Sequence, residues 1–299
     1  MYPTIEAYLD ALKTALAGAD TALIQDAQAD AFEHLSMVLE AKRATAPDLS
    51  VPDALAAIIE GYGTPEETAS AYREIERRTS PTLKQPGKPQ SLLGRVFGAY
   101  VDPRTWGALL FMFITFVTGI IYFTWAVTGL ALSLGFSILI IGLPFAILFL
   151  LSVQGVSLLE GRMVEALLGV RMPRRPLFAQ PGLGGLERLK ALVADKHTWL
   201  SLLYMILQLP LGVAYFVLNV VLLSVSLAFI LAPLGDLFIQ NPNFTIQLFW
   251  LTNPIWVLIL LPILGFLLLT LTMHLARSIG GWHGRYAKWM LVNQKPLSS

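Results

Sequence analysis

The passage VDPRTWGALLF at residues 101–111 returns as ADKHTWLSLLY at residues 194–204, 93 positions later. Both copies hold an Asp, then a Thr-Trp pair, and both begin a long apolar run. More positions agree at this offset: Arg95 with Arg188, Gly119 with Gly212, and Tyr122-Phe123 with Tyr215-Phe216. The pattern predicts two repeats, near 93–172 and 186–292, with the extra residues of the second repeat at 236–252.

The apolar runs have the length of membrane helices. Residues 105–159 and 199–235 contain no Asp, Glu, Lys or Arg, and about 20 apolar residues are enough to cross a bilayer. The runs predict four crossings, near 107–128, near 134–158, within 199–235 and near 253–276. We expect a turn at 128–135 and a break in the third crossing near Ser224–Ser226.

Composition places the chain among membrane proteins and divides it in two. It is 55% hydrophobic and 14% charged, whereas soluble domains carry about 25% charged residues. Residues 1–79 hold 14 acidic and 6 basic side chains, a net charge of −8, and residues 80–299 have a net charge of +9. The absence of cysteine excludes disulfides and thiolate chemistry.

The acidic residues 1–79 have helical periodicity without a long apolar run. The spacing predicts four helices, near 3–17, 20–43, 51–62 and 65–78. The clearest boundary is GYGTPEETASAY, where Gly63 suits a helix end, Thr64 an N-cap, Pro65 the first helical position and Glu67 a capping box. Residues 80–91, SPTLKQPGKPQS, read as a linker, and residues 293–299 as a short tail.

The fold class predicted is therefore all-α, with a small soluble helical domain followed by a four-helix transmembrane region made of two repeated hairpins. Lys and Arg occur at the start of each unit, through 160–198 and after the last crossing, and the turns between crossings lack them. The positive-inside rule then places both termini in the cytoplasm.

Each part of the repeated passage has a local explanation. Asp102 and Asp195 can cap the helices that follow them. Trp106 and Trp199 then lie at the membrane interface, as anchors.

Other polar residues offer two interpretations each. Gln208 and Asn219 share one helical face, where they either bond neighbouring helices or bind a ligand. Asp236 either binds a cation or an amphiphile or is a solvated loop residue. The basic cluster Arg171, Arg174 and Arg175 contacts anionic lipid or, alternatively, the chain's own acidic domain.

No catalytic or metal-binding pattern stands out. The four histidines, His34, His197, His274 and His283, lack metal-ligand spacing, and no nucleophile motif accompanies them. We therefore expect no cofactor, no metal, no direct nucleic-acid contact and no enzymatic activity.

The first quarter of the chain resembles a bacterial family. IEAYLDALKTAL, AFEHLSMVLE and ALAAIIEGYGTPEETASAY together look like the HAAS-type helical domain, which is commonly fused to membrane segments. That family is often encoded beside PadR-like transcription regulators, so the resemblance implies a bacterial protein with a cytoplasmic protein partner.

The membrane half, roughly residues 92–292, resembles another. DPRTWGALLF, LEGRMVEALLGVRMP and DKHTWLSLLY…LAPLGDLF are similar to the sensor domain found ahead of some bacterial histidine kinases. After residue 292 only NQKPLSS remains, so kinase activity does not carry over.

Two functions follow as hypotheses. In the first, the membrane region of a bacterial cytoplasmic-membrane protein senses an envelope or lipid cue and changes the availability of the acidic domain to a cytoplasmic partner. In the second, the chain is an accessory or assembly subunit of a membrane complex such as a transporter. Neither hypothesis determines whether two copies of the chain associate.

Overall fold

The protein is described from a computed structural model, which covers residues 2–46, 49–79, 92–138, 142–174, 185–238 and 255–292. Within these ranges the regular structure is helical and includes no strand, which confirms the all-α prediction. The predicted linker, the tail, Arg175 and most of segment 236–252 lie outside them. The helices are α1 Ile5–Ala15, α2 Thr21–Thr45, α3 Val51–Tyr62, α4 Pro65–Thr79, α5 Leu92–Val101, α6 Pro103–Gly135, α7 Gly142–Leu168, α8 Gly185–Ala194, α9 Lys196–Phe238 and α10 Ile255–Leu291.

The chain folds into two compact units. The first combines Met1–Lys84 with Ala126–Tyr204 and Gly284–Ser299, and the second combines Gln85–Trp125 with Met205–His283. The first unit therefore contains α1–α4, which we call the head, together with α7, α8 and the start of α9. The second contains α5, most of α6 and α9, and the larger part of α10.

The head has the four predicted helices, and the corner between α3 and α4 has the predicted capping box. Gly63 ends α3 with a φ of +109°, a conformation that glycine adopts without a steric penalty. The Glu67 amide donates to Thr64 Oγ1 over 3.3 Å, and the Thr64 amide donates back to Glu67 Oε2 over 2.9 Å. These bonds satisfy donors that the first turn of α4 leaves without helical partners.

Tyr8 connects the corner between α3 and α4 to the core of the head. The core is formed by apolar side chains from α1, α2 and α3, among them the fully buried Leu9, Leu12 and Leu35. The Tyr8 hydroxyl donates to the Gly63 carbonyl over 2.9 Å and lies 3.1 Å from Thr68 Oγ1. Burial raises the pKa of Tyr8, so the hydroxyl keeps the proton that it donates.

Four helices are long and apolar enough to cross a membrane: Pro103–Gly135, Gly142–Leu168, Lys196–Pro233 and Ile259–Leu291. This agrees with the predicted number of crossings. Two predicted interruptions are wrong, because the turn at 128–135 and the break near Ser224–Ser226 both lie inside continuous helix. Ser226 fits within α9, where its hydroxyl donates to the Leu222 carbonyl of the preceding turn over 2.6 Å and so has a partner without solvent.

The repeat predicted from residues 101–111 extends to whole helices. α5 and α8 each have ten residues, and both their starts and the starts of α6 and α9 are 93 positions apart. In the second unit α5 lies against α10, where the Tyr100 hydroxyl is 2.8 Å from Thr270 Oγ1 and its ring stacks on Phe266. In the first unit α8 packs against α7.

Helices α6 and α9 touch through two glycines of the second unit. A Cβ added at Gly119 would lie 2.7 Å from the Gln208 carbonyl oxygen, and one added at Gly212 would lie 2.5 Å from the Thr115 carbonyl oxygen. Thr115 and Gly119 are the repeat equivalents of Gln208 and Gly212, so the same contact is made twice, once from each repeat. Small residues allow membrane helices to approach this closely.

Two repeats that both enter the membrane from the cytoplasm would make α6 and α9 run in the same direction, and the contact differs from this expectation. Gly119 lies on Gln208 and Gly212 lies on Thr115, while the Phe113 ring lies 5.9 Å from the Phe216 ring. The order along α6 is thus reversed along α9, so the two helices run in opposite directions where they meet. Sequence similarity shows that the two repeats are related. The side chains that pack between α6 and α9 determine in which direction the two helices run past each other.

Candidate functional site

The clearest polar site of the described chain follows α7. Gly169 has a φ of +68° and ends the helix, because a residue in this conformation turns the chain out of the helical path. Residues 169–174, GVRMPR, then run alongside the head; we call them the exit segment. Both belong to the first compact unit.

Arg171 of the exit segment is buried against carboxylates of the head. Its Nη2 donates to Asp26 Oδ2 over 2.8 Å, and its Nε donates to Glu76 Oε1 over 3.0 Å. Its Nη1 donates to the Met172 carbonyl and lies 3.9 Å from Glu165 Oε1. Only 7% of the Arg171 side chain is exposed. Planar guanidinium groups suit such sites because their donors point in several fixed directions.

Arg174 completes the arrangement from the end of the same segment. Its backbone amide donates to Asp26 Oδ1 over 2.7 Å, so both oxygens of Asp26 are bound by the exit segment. Its Nη2 donates to Glu165 Oε1 over 2.8 Å, and this bond raises the pKa of Arg174. Asp26, Glu76, Glu165, Arg171 and Arg174 form one group, which we call the exit cluster.

A second ion pair joins the head to the end of α10. Lys288 Nζ donates to Asp20 Oδ2 over 2.5 Å, while Asp20 Oδ1 caps α2 through the Ala22 amide. The ends of the repeats also resemble each other, EGRMVEALLGV at 160–170 and HGRYAKWMLVN at 283–293, and this pairing makes Lys288 equivalent to Glu165. The ends of both repeats therefore contact the head, one through Lys288 directly and the other through the exit cluster.

The ion pairs of the exit cluster hold the exit segment against the head. The cluster contains three carboxylates and two guanidinium groups, and Arg162 Nη1 adds a third guanidinium group at 3.8 Å from Glu165 Oε2. Removing one member of a buried ion pair leaves the other uncompensated, at a cost of about 3–5 kcal/mol. Any change at the end of α7 that displaces Arg171 therefore bears directly on how the head is held.

The sequence offered two partners for the basic cluster, anionic lipid and the acidic domain. The structure places Arg171 and Arg174 on the acidic domain, at Asp26 and Glu76. The burial of Arg171 leaves it little surface for a lipid headgroup. For Arg175, which lies outside the described residues, the predicted lipid contact stays a prediction.

The two copies of the opening passage have matching local geometry. Asp102 Oδ1 accepts from the Arg104 amide over 3.0 Å, and Asp195 Oδ1 accepts from the His197 amide over 3.1 Å. Each tryptophan donates from Nε1 to a carbonyl six residues earlier, Trp106 to Tyr100 over 2.9 Å and Trp199 to Val193 over 2.7 Å. In each repeat the long helix thus begins with an Asp cap. A half-exposed Trp in its first turns then bonds to the short helix before it.

This repeated architecture agrees with a comparison with protein families. The model of the family described as "Putative sensor" matches residues 112–291. The chain belongs to this sensor family. The match covers well over half of the chain and includes α7, the exit segment and Lys288. Comparisons with curated proteins and with solved structures find no significant match.

The head lies outside the matched residues of the sensor family. Asp20, Asp26 and Glu76 are therefore contributed by a separate part of the chain, while Arg171, Arg174 and Lys288 belong to the sensor match. The exit cluster is a contact between the sensor region and an element that precedes it in sequence.

The remaining candidates lie on α9. Gln208 and Asn219 are buried, with exposures of 0% and 2%, and Gln208 lies at the close contact with Gly119. Their positions suit the predicted role of polar groups between helices. Asp236 lies in the last turn of α9, and its side chain is outside the described part of the chain.

Sequence reasoning missed the acidic half of the cluster. The opposite net charges of residues 1–79 and 80–299 indicate mutual attraction, but they do not select Asp26, Glu76 or Glu165. One signal was available, because α2 carries Gln25, Asp26 and Gln28 on a face that is buried. Polar residues on the packed face of a helix indicate a polar partner.

Proposed function

We propose that this chain is an integral membrane signalling protein of the sensor family, without enzymatic activity. Its membrane helices would respond to an envelope or membrane cue and change the availability of the head to a cytoplasmic partner. The observation that carries the proposal is the burial of Arg171 between Asp26 and Glu76 of the head. This contact joins the family's membrane region to the head, which the family match leaves out.

The route from membrane to head is short. Glu165 lies in the last turn of α7, and Arg171 and Arg174 follow within the next nine residues. A rotation or tilt of α7 would therefore change the distances from Glu165 to both arginines without any intermediate element. Because the cluster is buried, small displacements would alter its energy strongly.

The same contact hides part of the head. Asp26 is 5% exposed, and Glu76 and Asp20 keep a minority of their side-chain surface. A partner that binds this acidic face through basic residues would compete with Arg171 and Lys288. The head would then have a held state and an available state, and a cue needs to favour one of them by only a few kcal/mol.

The partner and the orientation extend the proposal. The Lys and Arg residues that flank the crossings support a cytoplasmic location of the head in a bacterial inner membrane. The predicted topology with both termini inside requires α6 and α9 to run parallel, and the opposite chain directions at Gly119 and Gly212 do not support that part of the prediction. The likeness of residues 1–79 to HAAS-type domains supports a regulator of the PadR type as the partner, so the chain itself would not contact nucleic acid.

Photo-crosslinking in cells tests the proposal. A photoreactive amino acid at Glu66, an exposed position of α4, would be used in the otherwise unchanged chain, in Arg171→Gln and in Arg77→Gln. Arg77 pairs with Glu74 at the exposed surface of the head and serves as the control. We expect a soluble cytoplasmic protein to be captured in higher yield by Arg171→Gln, and Arg77→Gln to behave like the parent.

Two results would contradict the signalling proposal. If neither the parent chain nor Arg171→Gln captures a protein, the proposed cytoplasmic partner is contradicted. Capture of an integral membrane protein that also copurifies stoichiometrically in mild detergent would favour the accessory-subunit hypothesis instead.

A further inference from the structure

An open apolar groove lies on the second compact unit. It has a volume of about 520 Å³, within the range of roughly 300–1,000 Å³ that small-molecule sites occupy. One wall is formed by Trp106, Leu110 and Phe113 of α6, and the other by Leu223 of α9 and Leu269 of α10. All of them lie within the helices that can cross a membrane, so the groove faces lipid chains when the protein is embedded.

One end of the groove is charged. Trp106 and Met273 line the groove. Four residues from each of them lie Asp102, which caps α6, and Arg277 of α10. Arg277 Nη2 is 3.3 Å from Asp102 Oδ2. The Asp102 side chain is 3% exposed and the Arg277 side chain 42% exposed, so the cationic partner is the one that the surroundings can reach.

The charge at this end favours an anionic ligand. Arg104 adds a second cation in the first turn of α6, and Asp102 is the only carboxylate in residues 92–125. The second unit therefore has a surplus of positive charge beside an apolar groove. The half-exposed Trp106 lies between the two, as tryptophan does where headgroups meet acyl chains.

We infer that this groove binds an anionic phospholipid of the bilayer. One acyl chain would lie along Leu110, Phe113 and Leu269, and the headgroup phosphate would pair with Arg277. The inference deepens the proposed function, because it names the class of membrane cue. Leu269 and Met273 of α10 line the groove, and Lys288 in the last turn of the same helix contacts the head. One helix therefore carries residues of the lipid site and a residue that contacts the head.

Lipid retention by the full chain tests the inference. The protein would be extracted in mild detergent, exchanged into mixed micelles with equal amounts of phosphatidylglycerol and phosphatidylcholine, and analysed by native mass spectrometry. Leu110→Trp fills the groove from a position that is 51% exposed. Ile121→Trp places the same side chain on the same helix outside the groove, at a position that is 57% exposed. Arg277→Gln removes the cation.

We expect the parent chain and Ile121→Trp to retain phosphatidylglycerol in preference to phosphatidylcholine, and Leu110→Trp to retain neither. Arg277→Gln should reduce the preference about fivefold, the effect of roughly one basic residue near an anionic surface. Equal retention by the two tryptophan variants, or equal retention of the two lipids by the parent, would overturn the inference. Because this measurement does not involve the head or its partner, its failure would leave the crosslinking result standing, and the reverse also holds.

Discussion

Arg171 donates through Nη2 to Oδ2 of Asp26 over 2.8 Å, although 145 residues separate them in the chain. Each of the two side chains keeps 7% of its surface exposed. Buried pairs of this kind contribute little net stability compared with apolar residues, but they make a contact specific, because few other arrangements satisfy both charges. This pair therefore bears mainly on where the head lies on the exit segment.

Breaking this pair should release the head without unfolding it. We expect Arg171→Gln to weaken the contact by about 3–5 kcal/mol, since Asp26 would stay buried with less compensation. Amide hydrogen exchange of the chain in nanodiscs should then rise around Asp26 in α2 and Glu76 in α4. The exposed pair of Arg77 with Glu74 should matter little, at about 0–1 kcal/mol for Arg77→Gln. Equal exchange in the two variants would mean that the exit cluster does not hold the head.

Enlarging the glycines between α6 and α9 should destabilise the second unit. A Cβ at Gly119 or Gly212 would lie within 2.7 Å of a backbone oxygen on the facing helix, so the helices must separate. We expect Gly119→Ala and Gly212→Ala each to cost about 1–3 kcal/mol, measured as a lower unfolding temperature in detergent. Gly155→Ala is the control, because its Cβ would meet nothing within 4 Å, and it should be neutral or slightly stabilising. A control as unstable as the two variants would refute the contact.

The two cap residues should differ in their importance. Asp195→Ala removes a cap and should cost about 1 kcal/mol. Asp102→Ala removes a cap and also the ion pair with Arg277, so its cost should be higher. Asp102→Asn keeps an oxygen for the Arg104 amide and should fall between the parent and Asp102→Ala. Unfolding in detergent measures all three, and equal losses for Asp102→Ala and Asp195→Ala would show that the ion pair contributes nothing.

The head should lose stability in alkali through Tyr8. Burial raises the pKa of Tyr8 above its ordinary value of 10.0, so the unfolded head releases this proton at lower pH than the folded head. The stabilising contribution is complete below pH 10 and is lost as the pH rises through the folded-state pKa. Tyr8→Phe loses the bond to Gly63 and should cost about 0.5–1.5 kcal/mol at neutral pH.

Hydrogen exchange of α1 at pH 8 and pH 11 separates these effects. The parent should lose more protection than Tyr8→Phe between the two pH values, because only the parent can ionise at position 8. An equal loss in both chains would assign the alkaline sensitivity to other groups.

Much of the fold could be predicted because the signals are local. The capping box at Thr64 and Glu67 involves residues three positions apart, and four apolar helices follow from the length of uncharged runs. The repeat at Trp106 and Trp199 can be recognised in the sequence. In the structure both tryptophans donate to a carbonyl six residues earlier. The errors were local as well: residues 128–135 contain no proline to end α6, and Ser226 fits within α9 with its hydroxyl bonded to the preceding turn.

The sequence by itself determined most of the segments that become helices, and that α5 and α6 are repeated 93 positions later as α8 and α9. Only the tertiary structure decided that Gly119 faces Gln208 and Gly212 faces Thr115 with opposite chain directions, and that Arg171 contacts Asp26 and Glu76 instead of remaining at a surface. Helix formation depends on neighbours within four residues. The choice of partner for a charge, or for a small residue on a helix face, depends on which distant surfaces can bury it with its bonds satisfied.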